Sequence, residues 1–258
     1  MLIAVTPFQF GSSLSPLYGA YHPPMRRVSG AKGVVICPPW GEEGIRSARL
    51  LRVLAERLAA QGSPTLRFDY PCSGESAGDC EDFSLANAVQ SVADAHIELE
   101  DMSGQSRNIW LGLRFGALAA MKALKLERPI GLLLWDPVVS GPDYLAEMQA
   151  AHARAISGMM GRPPASEEEV LGFGLSASFR SELEKTDLSS VTGKTRPKTL
   201  AIRRRDVPGL AAWADSASAS FDEILDPTEQ DWNSDEAMNA HLVPMQTIEE
   251  ICRQVAEW

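Results

Sequence analysis

The sequence predicts an α/β fold on a mostly parallel, doubly wound sheet, and three observations carry that expectation. Val34-Val35-Ile36-Cys37 is a continuous apolar run, which suits a strand buried on both faces. Stretches with apolar residues at helical spacing separate such runs. The order strand, helix, strand, helix then repeats from Lys32 to Trp135, the rhythm of right-handed crossovers.

Leu2 to Phe10 and Leu17 to His22 are short extended candidates broken by Gly11 and Pro16, an antiparallel N-terminal lead-in. Lys32 to Pro38 is the first buried strand. A helix from about Glu42 to Gln61 turns Ile45, Leu51, Leu54 and Leu58 inward, with Gly62 placed as its C-terminal cap. Strand Thr65 to Tyr70 leads into a loop, Pro71 to Phe83. The next helix, Ser84 to about Glu100, buries Leu85, Val89, Val92 and Leu99. Strand Asn108 to Leu113 runs directly into helix Phe115 to Leu126, and Pro129 to Trp135 is another buried strand.

From Gly141 to Lys194 the alternation breaks. Tyr144 to Met160 and Glu167 to Phe173 are helical candidates, with Ser166 and Glu169 spaced as a capping box. Met148, Met159, Met160, Leu171 and Phe173 suit either an apolar pocket or core packing. Thr199 to Arg203 resumes the strands, Leu210 to Ser220 is a helix and Phe221 to Leu225 a last strand. Met245 to Trp258 closes the chain as a helix with Ile248, Ile251, Cys252 and Val255 inward. The organisation expected is a core of residues 1–141 and 195–258, with a helical cap insertion, 142–194, over one end of the sheet.

Composition narrows the function classes. The 258 residues are 45% hydrophobic and 22% charged, which excludes disordered and fibrous architectures. A net charge of −10 repels phosphate backbones and anionic membranes, so nucleic acid is not an expected partner. The four cysteines show no zinc-ligand spacing and read as free thiols; no metal or cofactor is expected. The N-terminus lacks a basic start and a long apolar run, and no stretch has the length of a membrane span, so a cytoplasmic location is expected. Association as a homodimer stays open.

The most informative stretch is Gly112-Leu113-Arg114-Phe115-Gly116, between a strand and a helix. Glycines two residues either side of a central residue are the layout of a nucleophile elbow, G-x-S-x-G, whose tight turn lifts the central side chain above the sheet edge. Here that residue is Arg114. Gly74-Glu75-Ser76-Ala77-Gly78 matches the letters, but it lies in a loop without the strand-turn-helix setting, so Ser76 reads as structural.

On these residues the chain resembles the α/β-hydrolase fold from about residue 30 onward. Val34 to Gly41 resembles the strand and loop that supply an oxyanion-hole amide, which nominates Trp40 and Gly41 beside Phe115 as substrate-binding positions. Arg67 to Ser76 resembles the F-D-x-x-G-x-G-x-S loop, with Cys72 where glycine is usual. By the same resemblance Asp206 matches the acid position and His241 the catalytic histidine, with Asp136 as an alternative acid. PPWGEEG, GLRFGA and LLLWDPVVSG together resemble the second type of hydrolase-like protein associated with bacterial exosortase systems, a group that also carries arginine at the elbow.

A guanidinium is permanently protonated and cannot attack a carbonyl, so acyl-enzyme chemistry at residue 114 is excluded. Besides a lyase or isomerase that would use the His241–Asp206 dyad for proton transfer, two functions remain open. One is hydrolysis of an acyl ester or thioester, with Arg114 binding an anionic group and His241 with Asp206 activating water. The other is a catalytically inactive pseudo-hydrolase that binds an acyl or carboxylate ligand, or a protein partner. Arg114 could equally serve an internal ion pair with Asp136 or Asp206. Glu42 and Glu43, opening a helix, read first as complements to its dipole, with a role as an acid in the pocket as the alternative. His22, His96 and His152 read as structural or solvated, and so do Cys37 and Cys72.

Overall fold

A computed structural model describes residues 5–157, 168–190, 197–203, 206–215, 221–226 and 243–258. Strands β1 (Thr6–Ser12) and β2 (Ser15–His22) pair antiparallel, and β2 pairs antiparallel with β4 (Thr65–Phe68). β3 (Gly33–Cys37), β4, β5 (Asn108–Leu113), β6 (Gly131–Trp135), β9 (Lys198–Arg203) and β10 (Phe221–Leu225) run parallel. The sheet order is β1-β2-β4-β3-β5-β6-β9-β10. Every residue of β3, β5 and β6 is buried, the physical reason their sequences are apolar without alternation.

Two cores result, one on each face. Val34 and Ile36 face α1 (Gly41–Gln61) and α7 (Met245–Glu257), where Leu50, Leu51, Leu54, Leu58, Ile248, Ile251, Cys252 and Val255 are buried. Val35 and Cys37 face α2 (Leu85–Ser103) and α3 (Phe115–Ala123). Ile45 departs from its expected place and is 68% exposed, since the stripe of α1 that meets the sheet runs through Leu50, Leu51 and Leu54. Gly62 adopts the left-handed cap expected of it, and Ser84 caps α2 in a reciprocal box with Asn87.

Between β6 and β9 the chain forms α4 (Gly141–Ser157), the short strands β7 (Glu169–Val170) and β8 (Phe173–Gly174), and α5 (Ala177–Glu184); α6 (Leu210–Asp215) lies between β9 and β10. The helix expected over 167–173 is a hairpin over its described residues, 168–173. Leu171 and Gly172 both take positive φ, 53° and 86°, the backbone of a two-residue hairpin turn, which no helix accommodates. His152 Nδ1 accepts from Leu171 N at 3.0 Å and holds this turn to α4. Ser166, Met159 and Met160 lie outside the described residues.

The chain leaves β3 for β4 on one side and crosses to β5 on the other. The crossover direction therefore reverses between β3 and β5, and the crevice at their C-terminal ends is where such sheets place ligands.

Candidate functional site

Arg114 stands at that crevice, between β5 and α3, with φ 52° and ψ −119°. For a bulky residue this is a strained backbone, costing about 1–3 kcal/mol. The surroundings enforce it: Arg114 N donates to Trp135 O at 3.0 Å, and the flanking glycines leave no room for a wider turn. A Cβ on Gly112 would lie 2.5 Å from Ala117 Cα, and one on Gly116 would meet Cys37 O and stand 2.5 Å from Pro38 O. The elbow geometry is present in full, with a cation at its apex.

That cation is buried, 5% exposed, and compensated. Arg114 Nε donates to Glu43 Oε1 at 3.0 Å and Nη2 to Glu147 Oε2 at 2.8 Å. Tyr144 Oη donates to the other Glu43 oxygen at 3.2 Å, and its ring lies 5.7 Å from the guanidinium carbon. Each crossover contributes: Glu43 comes from the first turn of α1, Arg114 caps α3, and Tyr144 and Glu147 lie one turn apart on α4. Burial works against the Arg114 charge, but Glu43 and Glu147 outweigh it and raise its pKa. Burial likewise pushes Glu43 upward, while the Arg114 charge pulls it back. A cation at a helix N-terminus is unfavourable by itself, and the two carboxylates offset that as well.

The partners differ from those expected. Arg114 pairs with neither Asp136 nor Asp206, although both border the same recess: its guanidinium donors are taken up by Glu43 of α1 and Glu147 of α4. Glu43 is fully buried as the guanidinium's partner, whereas the dipole complement expected of the pair falls to Glu42, half-buried against Arg46 at 2.7 Å. Glu147 and Tyr144 were not among the residues singled out in the sequence. Their spacing of three on a helix after strand β6 was the only signal.

A recess of about 90 Å³ opens over the elbow, lined by Arg114, Asp136, Ser140, Tyr144, Glu147 and Asp206 among others. It brings Arg114, Asp136 and Asp206 together. Asp136 is buried with φ 47°, whereas the Asp206 side chain is 93% exposed, 3.9 Å from Arg203. Trp40, Gly41 and Phe115 do not line it. Trp40 packs on Phe83, Phe173 and Phe179 at 5.0–6.0 Å, and the Phe173 ring also covers Gly41. Phe115 is enclosed by Tyr70, Phe83, Tyr144 and Phe179. His241 lies outside the described residues.

Ser76 is held as a structural residue. Its Oγ donates to Asp69 O at 2.7 Å and accepts from Tyr18 N at 2.8 Å, which ties the loop to β2. The other described histidines also have structural partners: His96 Nδ1 accepts from Trp110 Nε1 at 3.0 Å, and His22, at the end of β2, accepts from Arg67 Nε at 3.2 Å.

The switch point, the elbow and the mostly parallel sheet with helices on both faces decide the architecture. This is the α/β-hydrolase fold. Est1E from Butyrivibrio proteoclasticus, solved with ferulic acid bound, is similar over 96% of this chain and 99% of its own, with TM-score 0.66 and 18% identity. XC6422 from Xanthomonas campestris, described as an α/β serine hydrolase without lid, covers 100% of this chain and 96% of its own at TM-score 0.61 and 14% identity. The Pyrococcus furiosus esterase PF2001 covers 99% and 91% at TM-score 0.63 and 14% identity. No protein-family model and no curated protein matches the sequence. Among the described residues no helix is long and apolar enough to cross a membrane.

Proposed function

We propose that this chain is a hydrolase-fold protein that binds at the elbow recess without turning over an acyl substrate. The observation that carries the reading is the network Glu43–Arg114–Glu147 with Tyr144: the apex residue is neither a nucleophile nor an uncompensated cation. A carboxylate entering the recess would meet Asp136, Asp143, Glu147 and Asp206 around a guanidinium already paired, which argues against an anionic ligand. At about 90 Å³ the recess takes a small polar group and not an acyl chain; sites for larger ligands span roughly 300–1,000 Å³. Arg114 is on this reading the strut that keeps α1, α3 and α4 in place around the recess. The resemblance to exosortase-associated hydrolase-like proteins with arginine at the elbow supports it.

A second reading, hydrolysis by water activated through His241 and Asp206, draws on one observation: Asp206 borders the same recess as Arg114. The two readings separate in one experiment. Wild type, Arg114→Ser and His241→Ala are assayed on a panel of p-nitrophenyl and acyl-CoA esters, with a fluorophosphonate probe alongside. No turnover and no labelling in wild type is the expected result. Turnover in wild type that disappears in His241→Ala sinks the binding reading and establishes the water mechanism.

A further inference from the structure

The loop from β4 to α2 carries two cysteines that the elbow site does not use. Tight turns fold it back on itself: Ser73 N donates to Tyr70 O at 3.1 Å, Ser76 N to Ser73 O at 3.0 Å, and Cys72 N to Ala77 O at 3.2 Å. The fold-back brings the Cys80 thiol onto Cys72, where Sγ donates to the Cys72 carbonyl oxygen at 3.3 Å. Both cysteines are free, Cys72 half-buried and Cys80 exposed. Cys80 also lines an open groove of about 760 Å³ with Glu81, Ser176, Arg180 and Glu184, so small oxidants reach it. The remaining cysteines differ: Cys37 and Cys252 are buried, the first in β3 and the second in α7.

We propose that Cys72 and Cys80 are a redox pair, converted by hydrogen peroxide to an intramolecular disulfide that staples this loop. Cys80, the exposed thiol, reacts first. Its thiolate attacks one peroxide oxygen, the O–O bond breaks, and the products are a sulfenic acid and, after protonation, water. The Cys72 sulfur then attacks the Cys80 sulfur. The S–S bond forms, the S–O bond breaks, and the departing hydroxide takes the Cys72 proton as a second water. In sum, two thiols lose two electrons and two protons to one peroxide. Cys72 suits the second role: burial and the neighbouring Cys80 thiol push its pKa up to about 12, so it is the poorer first nucleophile. Peroxide, being neutral, is not repelled by Asp79, Glu81 and Asp82 beside Cys80. The far end of the loop is Phe83, packed on Trp40, Phe115 and Phe179, so the staple acts on a segment that supports the aromatic cluster under the elbow.

The test exposes the full-length chain to hydrogen peroxide under native conditions, then alkylates the remaining thiols and measures intact mass. Before alkylation the expected product is about 2 Da lighter than the reduced chain, and after unfolding only Cys37 and Cys252 take up label, two additions against four in the reduced chain. Cleavage after Glu75 then leaves the two segments joined until dithiothreitol separates them. The oxidised chain melts roughly 5 °C higher than the reduced one, because the cross-link removes loop entropy from the unfolded chain. Cys72→Ser instead gives Cys80 carrying added oxygen. Oxygen addition to wild-type Cys80 without joined segments, or Cys80-linked dimers of the chain, overturns the proposal.

Discussion

Two segments of this chain carry G-x-X-x-G spacing, and they make opposite halves of one motif. Gly112 to Gly116 has the elbow's backbone, with strained φ, crowding at both glycines and a helix starting at once, but arginine at its centre. Gly74 to Gly78 has the serine, but that serine spends both hydrogen-bonding capacities on backbone groups of Asp69 and Tyr18. The elbow is therefore a property of backbone packing that needs no nucleophile at its apex, and a serine in matching letters without that packing is a fastener. A buried charge at the first site had to be neutralised, whereas the second needed only two hydrogen bonds.

The largest effect that can break this comparison is at the ion pair. Glu43→Ala leaves the buried Arg114 with half its compensation and costs about 3–5 kcal/mol in urea unfolding. In an Arg114→Met background the same substitution costs far less. An equal cost in both backgrounds removes the pair from the account of stability.

Next come the glycines. Gly116→Ala drives a methyl group into the carbonyls of Cys37 and Pro38 and costs about 3 kcal/mol, the upper end for overpacking. Gly74→Ala meets the Asp69 side chain, which can turn aside, and costs about 1–2 kcal/mol, chiefly for its φ of 54°. Equal losses in the melting curves would erase the distinction between a turn fixed by backbone and one fixed by side chains.

A third test uses acid. On the β2–β4 side, adjoining the Ser76 loop, the half-buried Arg67 is partnered by His22, whose pKa burial and then Arg67 and Arg52 lower to about 4. Being depressed from 6.5, this group's contribution is complete above pH 6.5 and is lost as pH falls through 4. The loss is on the order of 2 kcal/mol. Unfolding curves of wild type and His22→Gln between pH 7 and 4 are expected to converge over that window. Parallel curves refute the assignment.

The smallest effect is at Ser76. Ser76→Ala leaves Tyr18 N without its acceptor, costs about 1 kcal/mol and changes no activity. Fluorophosphonate labelling of wild type that disappears in this variant would make Ser76 a nucleophile and overturn its structural assignment.

Much of the fold was legible because it is written in local periodicity. β5 and β10 occupy the spans expected, and the buried faces of α2 and α7 are those the apolar spacing marks. Boundaries slipped where the chain ends an element by its own means: α3 stops at Ala123 rather than Leu126, and α4 starts at Gly141, where the Ser140 hydroxyl accepts from Asp143 N. The stretch 168–173 misled because Val170, Leu171 and Phe173 are compatible with a helix and only the paired positive φ at Leu171 and Gly172 decides otherwise.

The sequence by itself determined the alternation of strands and helices, the antiparallel lead-in and the elbow with its arginine, all features of neighbouring residues and their spacing. Only the tertiary structure decided what that arginine does. Its partners lie 71 and 33 residues away, on helices that meet above the elbow because β3 and β6 flank β5 in the sheet. Which carboxylates reach a buried cation depends on that convergence of three crossovers, and no local pattern encodes it.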